Sequence, residues 1–439
     1  MSGVETACLG FLAMLVLIAL RMHVGLAMLV TGTLGYLHLS SGAAFLAYMK
    51  TNAYYQFANY TLSVIPLFIL MGAFAERSGL STALFRAAAA AIGHLRGGLA
   101  MAVIAACTAF GAICGSSVAT TATFGRACLP ELLRYKYNPG FATGTIAVGG
   151  TLGILIPPSV ILVVYAISTE QNIAKLFMAA AIPGILAATF YCIVIAIVTW
   201  RNPALAPPQP IATNQHRFKT FLAIWPVLIV ALTVIGGIYG GIFTPTEAAA
   251  VGAIAMAAVG LVQGTLNWDG IKQALVQTAE TSAMIFIILL GSEVFDAFLA
   301  LSRLPTEAAA WITSFGLSPY LVMIALMAFY ILLGAVMDEL AMLLLTLPVF
   351  FPIVSAMNFG MSPDDVAIWF GILVLIVVGI GLTAPPIGLN VFVISSIAKT
   401  VPIKDIYRGV LAFLVADVIR LGLVIAFPAL ALTVVRWLT

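Results

Sequence analysis

Two stretches decide how this chain is built: Gly149-Gly-Thr-Leu-Gly-Ile-Leu-Ile-Pro-Pro-Ser159 and Gly379-Ile-Gly-Leu-Thr-Ala-Pro-Pro-Ile-Gly388. Each lies within a 33-residue interval free of charge, 137–169 and 366–398, longer than the ~20 residues one spanning helix needs. A proline inside a helix removes a backbone donor and clashes with the turn before it, so two in succession break the helix. Broken backbone at membrane depth is tolerated only where protein buries it or water reaches it. Freed carbonyls there favour cations, and half-helix N-termini, with about half a positive charge each, favour carboxylates. One diproline alone reads equally well as a packing kink; two at matched positions favour a functional pair of breaks.

The composition around these stretches sets the class. Of 439 residues 63% are apolar and 8% charged, against about 45–50% and about 25% in soluble domains. A water-facing surface cannot be made from that, so the chain is expected to be an all-α polytopic membrane protein. Further neutral intervals cover 97–125 and 308–337, and shorter apolar runs lie near 4–20, 22–40, 60–76, 176–200, 221–241, 245–266, 274–300 and 409–435. Together they predict about ten crossings plus two unusual segments, the first run being a retained span. The formal charge of +3, with no basic block, excludes nucleic acid as a partner. Cys8, Cys107, Cys114, Cys128 and Cys192 form no CxxC pair and read as buried small hydrophobes. None of the seven lysines follows a glycine, which excludes a phosphate loop, and HExxH and GxSxG are absent. No enzyme and no bound cofactor is expected.

The chain divides at a polar, proline-rich linker, 201–220, into halves 1–200 and 221–439 that resemble one another. Pro66-Leu-Phe-Ile-Leu-Met-Gly72 answers Ile285-Phe-Ile-Ile-Leu-Leu-Gly291, and Pro157-Pro158 answers Pro385-Pro386, at separations of 219 and 228 residues. Five crossings per half would invert the second repeat, as in secondary transporters. With the N-terminus outside, 14 of the 19 basic residues fall on the cytoplasmic side, as the charge bias of membrane proteins requires.

Upstream of each diproline lies an interval awkward for whole crossings, read as a re-entrant hairpin: about 97–136, with its tip at Ser116 and Ser117, and about 317–354, with its tip between Gly334 and Ala341. The broken helices follow at about 138–169 and 366–398. Ser116 and Ser117 favour coordination over simple packing. Asp338 is a functional candidate because a mid-membrane acid is costly, and capping the returning helix is nearly as good an account. Glu339 is expected to face solvent. Asp417 and Arg420, three apart, are expected to pair on one helix face. Glu280, Glu293 and Asp296 lie near the ends of a span and are assigned no function.

The motifs VIPLFILMGAFAERSGL at 64–80, LRGGLAMAVI at 95–104, GAICGSSVATTATFG at 111–125, GILIPPSVILVVYA at 153–166 and AAIPG at 180–184 occur together. FTPTEAAAVG at 243–252, MDELAMLLLTLPVFFPI at 337–353 and GLTAPPIGLNVFV at 381–393 complete the set. With these the chain resembles the large membrane subunit of tripartite ATP-independent periplasmic (TRAP) transporters. The resemblance implies an inverted-repeat elevator fold in a bacterial inner membrane, importing an organic acid with sodium as the coupling ion. It also implies two partners, a small four-helix membrane subunit and a periplasmic substrate-binding protein, besides membrane lipid. On this resemblance Ser116, Ser117, Gly149, Gly153, Gly334, Asp338, Gly381 and Thr383 form two sodium sites. Thr120, Thr121, Pro157, Pro158, Ser159, Pro385, Pro386 and Asn390 surround the substrate. A sodium/carboxylate symporter that needs no binding protein is the alternative; a membrane enzyme or channel fits less well.

Overall fold

The computed structural model describes residues Ser2–Leu438, apart from the His216 side chain, and the described residues form helices without a strand. Many helices start where a capping side chain precedes a proline whose missing N–H costs nothing in the first turn. Asn138 before Pro139, Thr244 before Pro245, Ser318 before Pro319 and Ser362 before Pro363 each cap in this way. Among the described residues seven helices are long and apolar enough to cross a membrane, and a bent pair taken as one span makes an eighth. Trp225, Ile229 and Leu232 on Asn214–Tyr239 point away from the protein, as a lipid-facing surface requires.

Each half carries a helical hairpin followed by a broken helix. In the first, Gly3–Ala19, Val24–Leu39, Gly42–Ala58, Val64–Arg77 and Leu80–Ile92 precede a hairpin of Gly98–Cys114 and Ser117–Arg134. A broken helix, Pro139–Leu155 with Val160–Ser168, bends by 43°, and Ile173–Arg201 closes the half. In the second, Asn214–Tyr239, Pro245–Val262, Trp268–Ser302 and Leu304–Ser314 precede a hairpin of Pro319–Gly334 and Glu339–Ser355. Pro363–Gly381 and Leu389–Ile397 form the broken helix, followed by Ile403–Ala426 and Ala429–Leu438. The halves exchange partners: Val24–Leu39 lies along Trp268–Ser302, and Pro245–Val262 lies along Val64–Arg77.

Several expectations need correction. The run at 409–435 is two helices, because Pro428 cannot donate to the ladder and the first helix ends at Ala426. Gly42–Ala58, Leu80–Ile92 and Leu304–Ser314 were not expected, since Lys50, Arg86 and Glu307 interrupt their apolar runs. Gly42–Ala58 buries no residue against the rest of the chain. Cys107, Cys114 and Cys128 are buried, but Cys8 is exposed and Cys192 half-buried.

The linker does more than separate the halves. Asn138 donates its N–H to the Leu205 carbonyl (2.8 Å), Gly97 donates to Ala206 (3.3 Å), and Gln209 donates to Gly93 (2.9 Å). Both ends of the first hairpin are thereby tied to one strand of linker. The broken helices are innermost: 89% of the apolar stretch of Pro363–Gly381 is buried inside the protein, against 28% for Ile173–Arg201.

Candidate functional site

At the first break the diproline removes donors that two carbonyls need. In a continuous helix the carbonyls of Gly153 and Ile154 would accept from residues 157 and 158, and Pro157 and Pro158 have no N–H. Among the described residues no other donor reaches them, although Leu152 keeps its bond from Ile156 at 3.0 Å. Residues 151–160 are all buried, and the Pro157–Pro158 peptide is cis. The hairpin tip seats here because a glycine leaves room: a methyl on Gly153 would stand 2.6 Å from the Ser116 carbonyl.

Side chains complete this neighbourhood. Ser116 caps the returning helix, accepting from Ala119 N–H at 3.4 Å, and its carbonyl accepts from Thr120 Oγ1 at 2.7 Å. Asn390, from the second half, donates through Nδ2 to Ser117 Oγ (2.7 Å) and to the Ala147 carbonyl (3.1 Å). Asn390 Oδ1, Thr121 Oγ1 and Ser159 Oγ are buried with no hydrogen-bond partner. Buried polar atoms are seldom left unpaired, so the first break is rich in oxygen atoms that lack partners.

The second break satisfies itself. The Leu382 carbonyl accepts from Asn390 N–H at 2.9 Å, and Gly381 accepts from Ala384 at 3.3 Å. The tip of the second hairpin docks through main chain, its Ala335 carbonyl accepting from Ile387 (3.2 Å) and Gly388 (3.4 Å). Gly334 and Gly381 meet face to face; a methyl on Gly381 would stand 2.6 Å from the Gly334 carbonyl carbon. Tyr407 donates its hydroxyl to the carbonyls of Pro386 (3.0 Å) and Ile387 (2.5 Å). Pro385, Pro386 and Ile387 are exposed.

With that geometry in view, comparison with known proteins is decisive. Residues 11–430 match the family described as tripartite ATP-independent periplasmic transporter, DctM component. The chain is 36% identical over 381 residues to the C4-dicarboxylate TRAP transporter large permease protein DctM of Pseudomonas aeruginosa, covering 87% of each chain. The chain belongs to the DctM family of TRAP transporter large permeases. It is 31% identical to the sialic acid TRAP transporter large permease protein SiaM of Vibrio cholerae, covering 85% of this chain and 86% of that one. The crystal structure of the Alcanivorax borkumensis YdaH transporter superposes with a TM-score of 0.59 at 18% identity, covering 89% and 90%, which is a likeness of fold. The relatives are transport permeases, not enzymes.

In this permease the expected residues gather unevenly. Ser116, Ser117, Thr120, Thr121, Gly153, Pro157, Pro158, Ser159 and Asn390 share the first neighbourhood; Gly334, Gly381, Thr383, Pro385 and Pro386 share the second. Thr383 turns its hydroxyl back to the Ile380 carbonyl at 3.1 Å. Gly149 lies one turn before Gly153 on the same helix, where an added methyl would meet Cys107 Sγ at 3.1 Å. Asp338 caps the returning helix, accepting from Ala341 N–H at 3.3 Å.

Glu339 does not face solvent. Its Oε2 is buried without a partner, beside a cavity of 110 Å³ that touches Glu76, Ser116, Val160, Gln277 and Glu339. Glu339 begins the helix that returns from the tip, and the inward turn of that helix carries it between the two hairpins. A cavity of 580 Å³ opens elsewhere, beside Asn138, Leu205 and Arg408, away from both breaks. Among the described residues no group of three or more His, Cys, Asp or Glu could hold a metal.

Sequence reading overlooked Tyr407 and the carbonyls of Ile154 and Ala147. The two diproline positions, counted back four residues, were signal enough for Ile154; a tyrosine in the helix after the break carries no such signal.

Proposed function

We propose that the chain is the large subunit of a sodium-coupled importer of an organic acid, seated in a bacterial inner membrane. A periplasmic binding protein delivers the acid, and a small four-helix membrane subunit completes the assembly. The observation that carries this reading is the first break, where the carbonyls of Gly153 and Ile154 and three buried side-chain oxygens lack donors. Hard cations take shells of oxygen from carbonyls, amides and hydroxyls, and sodium supplies the missing partner without needing a buried acid. Ser116, Ser117, Gly149 and Gly153 would line this site, and Gly334, Asp338, Gly381 and Thr383 a second.

The acid would lie between them, near Thr120, Thr121, Ser159 and Asn390, with the first-turn N–H groups of Val160–Ser168 toward its carboxylate. The relatives named for C4-dicarboxylate and sialic acid both bear names of carboxylates, which supports this class. Movement would be that of an elevator, the hairpins and broken helices sliding as one body against the exchanged helix pairs.

A membrane potential supplies about 2.3 kcal/mol per charge per 100 mV. One net positive charge per cycle therefore supports roughly fortyfold accumulation, before the sodium gradient adds to it. The test is uptake into vesicles holding the permease, its small subunit and its binding protein, with the acid chosen by melting shifts of that binding protein. Collapsing the sodium gradient should abolish uptake and omitting ATP should not change it. Equal uptake without sodium would overturn the coupling.

A further inference from the structure

We infer that Tyr191 and Asp417 are positioning residues that hold the last turn of Pro139–Leu155 in the geometry its free carbonyls require; this rests on the sodium reading above. Asp417 and Arg420 lie on Ile403–Ala426, paired at 2.8 Å with each side chain 1% exposed. Being three residues apart they could neutralise one another with no help. Yet Tyr191, from Ile173–Arg201, places its hydroxyl 2.9 Å from both carboxylate oxygens. The same hydroxyl lies 3.2 Å from Thr151 Oγ1, on the broken helix.

Proton bookkeeping orients this chain. Tyr191 has one hydroxyl proton and commits it to Asp417, which leaves its oxygen to accept from Thr151, whose own proton also faces the Val148 carbonyl at 2.7 Å. Thr151 stands two and three residues before Gly153 and Ile154, within the same helical turn. A methyl built on Gly379 would stand 3.7 Å from Thr151 Cβ. The two broken helices thus come close at this threonine, and an ion pair on a neighbouring helix holds it through a single phenol. A pair serving only its own neutrality would not need the phenol or the threonine.

The experiment uses the full-length chain and sodium alone as the probe: melting is followed as sodium chloride replaces choline chloride at constant ionic strength. Wild type should be stabilised by sodium with a measurable half-saturating concentration. Tyr191→Phe should raise that concentration about tenfold, the effect of losing one hydrogen bond to a charged group, while melting without sodium shifts by only a few degrees. Thr151→Val should act in the same direction, and Thr151→Ser should restore the wild-type titration. Tyr239→Phe is the control, since Tyr239 donates a comparable hydroxyl to the Phe177 carbonyl at 2.8 Å and should leave the titration unchanged. Wild-type titrations in both Tyr191→Phe and Thr151→Val would overturn the inference, as would an equal shift in Tyr239→Phe. Should Tyr191→Phe fail to fold, Thr151→Val decides. A wild type indifferent to sodium would overturn the sodium reading itself, and the inference with it.

Discussion

The two breaks arise from the same pair of prolines and are held in opposite ways. The first is buried throughout and leaves the carbonyls of Gly153 and Ile154 without donors, with side chains from the other half reaching in. The second is exposed at Pro385, Pro386 and Ile387 and closes its own hydrogen bonds through main chain. A duplicated motif therefore does not imply duplicated contacts. Carbonyls that lose their helical donors stay free only where the protein keeps other N–H groups away. Side-chain substitutions should therefore hurt most at the first break, whereas the second should respond to crowding of its main chain.

The largest effect is expected from Asn390→Leu. The change keeps the volume but removes the donor to Ser117 and Ala147 and the free Oδ1 in a buried site. Unpairing buried groups costs about 3 kcal/mol when two are affected, hence roughly a hundredfold loss of uptake. Initial rates in vesicles measure it. Uptake within a factor of two or so of wild type would erase the distinction between the breaks.

Gly381→Ala should come next. Its new methyl meets backbone of Gly334 at 2.6 and 2.7 Å, and backbone cannot turn aside as a side chain can. Overpacking of this kind costs typically 1–3 kcal/mol. A cost near the middle, about 2 kcal/mol, is roughly thirtyfold in uptake. Gly149→Ala, one turn before the first break, is the comparison, where the nearest atom is a side chain's, Cys107 Sγ at 3.1 Å. It should cost under about 1 kcal/mol, because the sulfur can give way and alanine favours the helix. Melting curves of the two variants, run together, sharpen or erase the contrast.

Much of this architecture was legible beforehand. Charge-free intervals and diprolines mark the hairpins and breaks directly, because burying charge and omitting N–H groups have costs that follow from residue type alone. Asp417 and Arg420 were legible as a pair for the same reason. What escaped was whatever depends on which elements meet. Glu339 reads as exposed until its helix is seen turning between the hairpins. Asn390 reads as one polar residue after a break until it is found satisfying Ser117, 273 residues away. Gly42–Ala58 and Leu80–Ile92 escaped because half-polar helices resemble loops in an apolar background.

The smallest effect, and the one that probes the second break most directly, is expected from Tyr407→Phe. The Tyr407 ring is half-buried, and its hydroxyl reaches the carbonyls of Pro386 and Ile387 from outside the bundle. A hydrogen bond near solvent is worth about 1 kcal/mol net, since water replaces it in part. If that hydroxyl steadies the exposed loop against Ala335, half-saturating sodium for uptake should rise about fivefold, with melting unchanged. The bonds from Ile387 and Gly388 to Ala335 would remain, which limits the loss. A wild-type sodium dependence in Tyr407→Phe would mean that those two main-chain bonds suffice, and the second break would then owe nothing to side chains at all.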